Sequence, residues 1–299
     1  MAKKTIGLIM NPAAGQGRGK AGAGEAANAL RKQGLFVREI QGKDAAESEQ
    51  LAAAMVEEGL DALVVAGGDG TIHMGLQIAV KGKVPLGIMP LGTGDDNARG
   101  LGIPIKDLDA AAKVVANGYR RTVDCGQVTL ASGESRYFLG VLSVGFDSEV
   151  NERANRLSFP KGESKYLAAI LAELAVFKPV PFDLEVDGEL HDQEAMLMAF
   201  GNGLSYGGGM KVCPDAKFDD GLLDLTVLGP VSKFRFISAF PNVFKGTHGK
   251  YPFVHQYKLK HARVDAPGQT VYADGERIGP VPAAIEVVPQ AVDVLVPTQ

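Results

Sequence analysis

The residues best placed to do chemistry lie in two short runs, Gly67-Gly-Asp-Gly-Thr71 and Leu91-Gly-Thr-Gly-Asp-Asp96. Glycines let a backbone approach an oxyanion closely, a helix start adds N–H groups and a positive dipole end, and threonines add hydroxyls. Carboxylates such as Asp69 and Asp96 beside phosphates repel them unless a divalent cation stands between. This combination predicts a Mg²⁺-nucleotide site. Gly-Gly-Asp-Gly also makes ordinary turns, so the argument rests on the second run and on what precedes each.

Both runs follow short apolar segments, Leu63 to Ala66 and Pro85 to Pro90, which have the length and composition of buried strands. Adjacent parallel strands joined by a crossover helix would bring both loops to one carboxyl edge of a sheet. Around them the pattern reads strand Thr5–Met10, helix 25–33, strand 35–40, helix 45–58, then a further helix over 107–117. Residues 1–125 are therefore expected to form an α/β nucleotide-binding domain. Beyond it, strands are expected at 120–130, 137–145, 182–186 with a turn at Asp187-Gly188, 194–200, 223–228 and 257–264, with helices near 165–177 and 233–245. That assigns 126–299 to a mainly β domain, with the extreme C-terminus as a segment able to rejoin the first.

Other chemistries are excluded by what the residues lack. The loop Asn11-Pro-Ala-Ala-Gly-Gln-Gly-Arg-Gly-Lys20 falls short of a P-loop, because Ala14 replaces the first glycine and Ala21 the metal-binding hydroxyl. Cys125 and Cys213 are too few and isolated for a disulfide framework or zinc site and read as buried reduced thiols. No Gly-x-Ser-x-Gly elbow and no histidine pair at metal spacing occurs. In 299 residues, 45% hydrophobic and 22% charged with a net charge of −4, nothing calls for nucleic acid, a membrane span or a signal peptide. The expected location is the cytoplasm.

Taken together, Asn11-Pro12, the two glycine runs with Arg99, Asp219-Asp-Gly-Leu-Leu-Asp224 and Asp274-Gly-Glu276 stand in the order seen in the diacylglycerol-kinase catalytic family. The chain resembles the soluble bacterial lipid kinases of that family over nearly its whole length. The resemblance implies an α/β nucleotide domain like those of phosphofructokinases and NAD kinases, a C-terminal β-sandwich, and an active site in the cleft. It implies ATP contacts from Asn11, Ala66, Gly67, Gly68, Asp69, Gly70, Thr71, Ile72, Thr93 and Arg99. Asp69 and Asp96 would belong to a carboxylate and water network around catalytic Mg²⁺, with Glu276 as general base toward the acceptor hydroxyl. A structural divalent ion would be held by the Asp220 side chain and the carbonyls of Lys217 and Leu222. Three positions depart from the usual pattern: Met74 replaces a glutamate, Asp95 stands where asparagine is frequent, and Gln16 lies in an altered first loop.

The expected activity is ATP-dependent phosphorylation of a hydroxyl on diacylglycerol or a related lipid. Alternatives are a kinase of a soluble hydroxyl acceptor such as NAD, and a nucleotide-binding regulator without catalysis. A lipid kinase lacking a span has to dock on the inner face of the membrane as a peripheral protein, and Arg153, Arg156, Phe159 and Lys161 are candidates for that contact.

Overall fold

The computed structural model describes residues 3–10, 19–146, 148–150, 172, 177–191 and 193–298. It divides into two compact units, Met1–Val123 with Gln290–Gln299, and Asp124–Pro289. In the first unit the apolar runs become β1 (Thr5–Met10), β2 (Phe36–Ile40), β3 (Ala62–Gly67) and β4 (Leu86–Pro90), parallel and ordered β4-β3-β1-β2. Between them run α1 (Gly19–Lys32), α2 (Ala45–Glu57) and α3 (Asp69–Gly82); α4 (Asp96–Gly100) and α5 (Leu108–Asn117) follow β4.

Local chemistry sets these boundaries. The Asp44 and Asp107 carboxylates cap α2 and α5 by accepting the N–H groups of Glu47 and Ala110, each at 2.9 Å. Helix α3 packs tightly on β3, because a Cβ on Gly75 would lie 2.3 Å from Val65 Cγ1. All six residues of β3 are buried, as a parallel strand covered on both faces requires.

The second unit is a β-sandwich. Its strands are the distal part of β5 (Arg120–Leu130), then β6 (Ser135–Phe138), β7 (Val141–Gly145), β8 (Val180–Val186), β9 (Glu189–Leu190), β10 (Gln193–Ala195), β11 (Leu197–Gly201), β12 (Leu223–Leu228), β13 (Val254–Leu259), β14 (His261–Asp265), β15 (Thr270–Ala273), β16 (Glu276–Pro280) and the start of β17 (Ala283–Leu295). One antiparallel sheet runs β13-β12-β11-β7-β15-β16, and β10, β8, β14 and β17 follow one another in the other. Phe182, Leu184, Val264 and Ile285 of one sheet pack with Leu142, Phe200, Leu225 and Val271 of its partner. Among the described residues no helix is long and apolar enough to cross a membrane.

Several expected elements are divided. The strand expected over 137–145 breaks between β6 and β7, where the Asp274 carboxylate accepts the N–H groups of Leu139 and Gly140 at 3.0 and 2.8 Å. The stretch 194–200 changes sheets at Met196, whose N–H bonds to Leu228 O and whose carbonyl accepts from Phe146. The stretch 257–264 changes sheets at Lys260, where Asp187 takes the N–H groups of Lys260 and His261. The hairpin turn at Asp187-Gly188 pairs β8 first with β9, and then β10 brings Glu194 and Ala195 opposite Pro181 and Val180. The helix expected over 233–245 divides into α6 (Lys233–Ala239) and α7 (Pro241–Lys245), since Pro241 has no N–H to continue it. The helix near 165–177 falls almost wholly outside the described residues.

Candidate active site

The two glycine runs meet at the carboxyl ends of β3 and β4. Strand pairing places Gly67 opposite Pro90, and Leu91 N donates to Gly67 O at 3.0 Å. Beyond that bond the loops touch backbone to backbone: a Cβ on Gly92 would sit 2.6 Å from Gly68 Cα and 2.5 Å from Asp95 Oδ1. Only glycine at position 92 permits this approach. A Cβ on Gly67 would likewise strike the Thr71 hydroxyl at 2.2 Å. Thr71 is therefore packed against the β3 terminus, and the residue is only 3% exposed. Ala66 is buried at the end of β3 and Ile72 in the first turns of α3, so their side chains pack the core beneath the loop.

Asp69 opens α3, and its carboxylate reaches into the second loop. Oδ2 accepts from the Asp96 amide at 3.3 Å and Oδ1 from the Asn97 amide at 3.1 Å. Asp69 thus performs for α4 the task of an N-cap carboxylate from a distant part of the chain. Asp95, at φ 49°, accepts the Gly92 N–H at 2.9 Å through Oδ1. Burial pushes its pKa up, with the adjacent Asp96 charge acting in the same direction and the Gly92 N–H and Arg99 opposing it. Arg99 draws the loop closed by donating to Gly94 O at 3.0 Å and facing Asp96 Oδ1 at 3.6 Å. Thr93 and Gly70 complete the rim, Thr93 exposed and Gly70 part-buried. Asn11 lies outside the described residues.

The remaining expected site residues belong to the second unit. Glu276 is exposed at the first position of β16, directly after Asp274 and Gly275, which take φ of 51° and 83° in the tight turn from β15. Asp274 does not point outward with it. The carboxylate is buried against Leu139 and Gly140, so the conspicuous acid of the Asp-Gly-Glu run anchors the loop that presents its neighbour. Two residues that sequence reasoning passed over join this buried network. Asn202 Nδ2 donates to Asp124 O and Leu139 O at 2.9 and 2.8 Å, and Asp124 Oδ2 accepts the Gly221 N–H at 2.7 Å. Asn202 stands between Gly201 and Gly203, a signal the sequence did offer, whereas Asp124 lies in no glycine-rich run.

Asp220 stands where a structural cation was expected. Oδ1 accepts the Leu222 N–H at 3.2 Å, and Oδ2 lies 3.2 Å from Lys258 Nζ, which also bonds Asp224 at 2.9 Å. The ammonium therefore neutralises the carboxylate in this structure, and a divalent ion there would have to displace it. Among the described residues no three His, Cys, Asp or Glu side chains converge as a metal cage.

The second unit also holds an apolar cavity, lined by Phe146, Leu197, Met210, Phe236, Phe240 and Phe253 among others. His248 reaches its wall. Nε2 donates to Val212 O at 3.1 Å, leaving Nδ1 buried and without a hydrogen-bond partner among the described residues. Burial holds its pKa below the ordinary histidine value, with the Val212 bond working against the shift. Cys125 and Cys213 are buried free thiols; burial raises both, Cys213 to about 12.

A sequence profile of the diacylglycerol kinase catalytic domain matches residues 5–128, and one of the YegS C-terminal NAD kinase beta sandwich-like domain matches residues 140–296. The chain is 42% identical over 293 residues to a diacylglycerol kinase of Mycobacterium tuberculosis, covering 98% of this chain and 95% of that protein. A Bacillus subtilis diacylglycerol kinase is 31% identical over 230 residues, 74% of this chain and 73% of its own. The solved structure of a diacylglycerol kinase from Bacillus anthracis str. Sterne superposes with a TM-score of 0.71 at 22% identity, over 99% of this chain and 97% of that one. At that identity the likeness speaks to the fold.

Proposed function

This chain belongs to the diacylglycerol-kinase catalytic family, and from that premise we propose that it transfers the γ-phosphoryl group of ATP to a hydroxyl of diacylglycerol or a closely related lipid. The observation that carries the reading is the bond from Asp69 to the Asp96 and Asn97 amides, which makes one surface of two glycine loops. Such a surface suits a triphosphate: small residues admit its oxygens, Thr93 and Arg99 lie on the rim, and Asp69 and Asp96 favour a hydrated cation beside it. Mg²⁺, when bound with the nucleotide, would neutralise charge developing on the transferred group. Glu276 is assigned the acceptor proton. Its exposure on a rigid hairpin leaves it open to a substrate hydroxyl, and the Lys217, Asp220 and Leu222 set is retained as a site for a structural divalent ion that would exchange with Lys258.

Phosphoryl transfer depends mainly on alignment and charge neutralisation, so the acceptor is chosen by what the second unit can hold. A cavity with so apolar a lining fits hydrocarbon far better than a nucleotide or sugar. The test supplies labelled ATP and Mg²⁺ with diacylglycerol vesicles or with NAD, and separates products by thin-layer chromatography. Label is expected in lipid alone. Transfer to NAD, or none to any lipid despite Mg²⁺-ATP binding, would end the lipid-kinase reading.

A further inference from the structure

Helices α6 and α7 present two faces of opposite use. Phe240, which joins them, has φ −53° and ψ −42°, so the helical course continues through Pro241. Phe236, Ala239, Phe240 and Val243 turn inward and line the apolar cavity. Phe234, Ile237 and Phe244 are 88%, 52% and 46% exposed. At about 100° per residue these three fall within one stripe beside the cavity-lining set, and Phe244 packs edge-on against Phe240 with ring centroids 5.8 Å apart. Exposed residues of this size are normal one at a time, but three in register on a short segment form a patch.

The charge around that stripe selects its partner. Lys233, Arg235, Lys245 and Lys250 belong to this segment, and no acidic residue occurs between Asp224 and Asp265, although the chain carries a net charge of −4. Lys233 and Lys245 are exposed beside the aromatic stripe. Long basic side chains flanking exposed aromatics match an anionic bilayer surface, where rings enter the interface and ammonium groups meet phosphates. We infer that α6 and α7 form the bilayer-docking surface of the protein, with Phe234, Ile237 and Phe244 entering an anionic membrane over the roof of the apolar cavity. The assignment differs from the expected cluster at Arg153, Arg156, Phe159 and Lys161, which lies outside the described residues. It rests on the lipid-acceptor reading for its purpose, not for its measurement.

The experiment is sedimentation of the full chain, without ATP, on phosphatidylcholine vesicles with and without phosphatidylglycerol. The parent is expected to partition onto the anionic vesicles and to be released by salt. Combined Phe234→Ser, Ile237→Ser and Phe244→Ser should lower that partition at least tenfold, and Lys233→Gln with Lys245→Gln should remove the preference for anionic lipid. The same serine variant should phosphorylate a monomeric short-chain diacylglycerol at the parental rate. Undiminished vesicle binding by that variant would overturn the inference, as would a stripe that buries itself by self-association in light scattering. Binding that depends on the stripe, in a protein phosphorylating no lipid, would support the surface and sink only the kinase reading.

Discussion

The carboxylate of Asp69 bonds the backbone amides of Asp96 and Asn97 at 3.3 and 3.1 Å, joining the starts of α3 and α4. Hydrogen bonds to a charged acceptor contribute about 1.5–3 kcal/mol each at most. Asp69→Ala is therefore expected to lower stability by about 2 kcal/mol and turnover by at least about a hundredfold. Denaturant melts and steady-state assays on one preparation measure both. Unchanged stability would mean that the bond does not hold the loops together.

Gly92→Ala tests the backbone contact. The added methyl meets Gly68 Cα and Asp95 Oδ1 at distances no Cβ tolerates, so the loops must separate. A large rise in the KM for ATP is the expected result, because the displacement falls on the surface proposed for the triphosphate. Titration with ATP reports it directly.

Glu276→Gln keeps size and hydrogen bonding and removes the basic oxygen. Turnover should fall by about a thousandfold or more, with ATP affinity within about twofold of the parent. Near-parental turnover would remove Glu276 from the role of base.

Asp95→Asn should stabilise the fold. The asparagine oxygen can still accept the Gly92 N–H, asparagine tolerates φ 49°, and the charge whose burial raises this pKa disappears. A gain of about 1 kcal/mol is expected in denaturant unfolding at neutral pH.

His248 gives the fold a pH dependence of determinate sign. Its folded pKa lies below the ordinary value of 6.5, so the unfolded chain takes up a proton that the folded chain resists. The stability tied to this site is complete above 6.5 and is lost as the pH falls through 6.5 toward the lower folded pKa. His248→Gln should thus lose less stability than the parent between about pH 7.5 and about pH 5.5 in parallel denaturant titrations.

The meeting of the two glycine loops was legible because its signal is local. A buried strand running into Gly-Gly-Asp-Gly-Thr, and a second into Gly-Thr-Gly-Asp-Asp, fixes both the edge and the residue types without knowledge of pairing. Sheet changes at Met196 and Lys260 were illegible for the opposite reason. The agents that divide the strands, Phe146 and Leu228 at one and Asp187 at the other, are remote in sequence. Pro241 did announce the division between α6 and α7, but it sits at the first position of a helix, where proline also begins one. Asp274 was read through its neighbour; only the geometry separates the anchor from the exposed glutamate.

The first unit is completed by residues that leave the ribosome after the whole sandwich has been made. Val294 of β17 pairs with Leu86 on the open side of β4, Val296 N bonds Tyr119 O, and Asp293 accepts from Thr122. Until then the nascent first unit carries an unpaired strand edge beside its glycine loops, the kind of edge that recruits foreign strands. Biosynthesis therefore delivers the sandwich strands before the first sheet can close, and a fragment ending at Val123 would keep the exposed edge permanently.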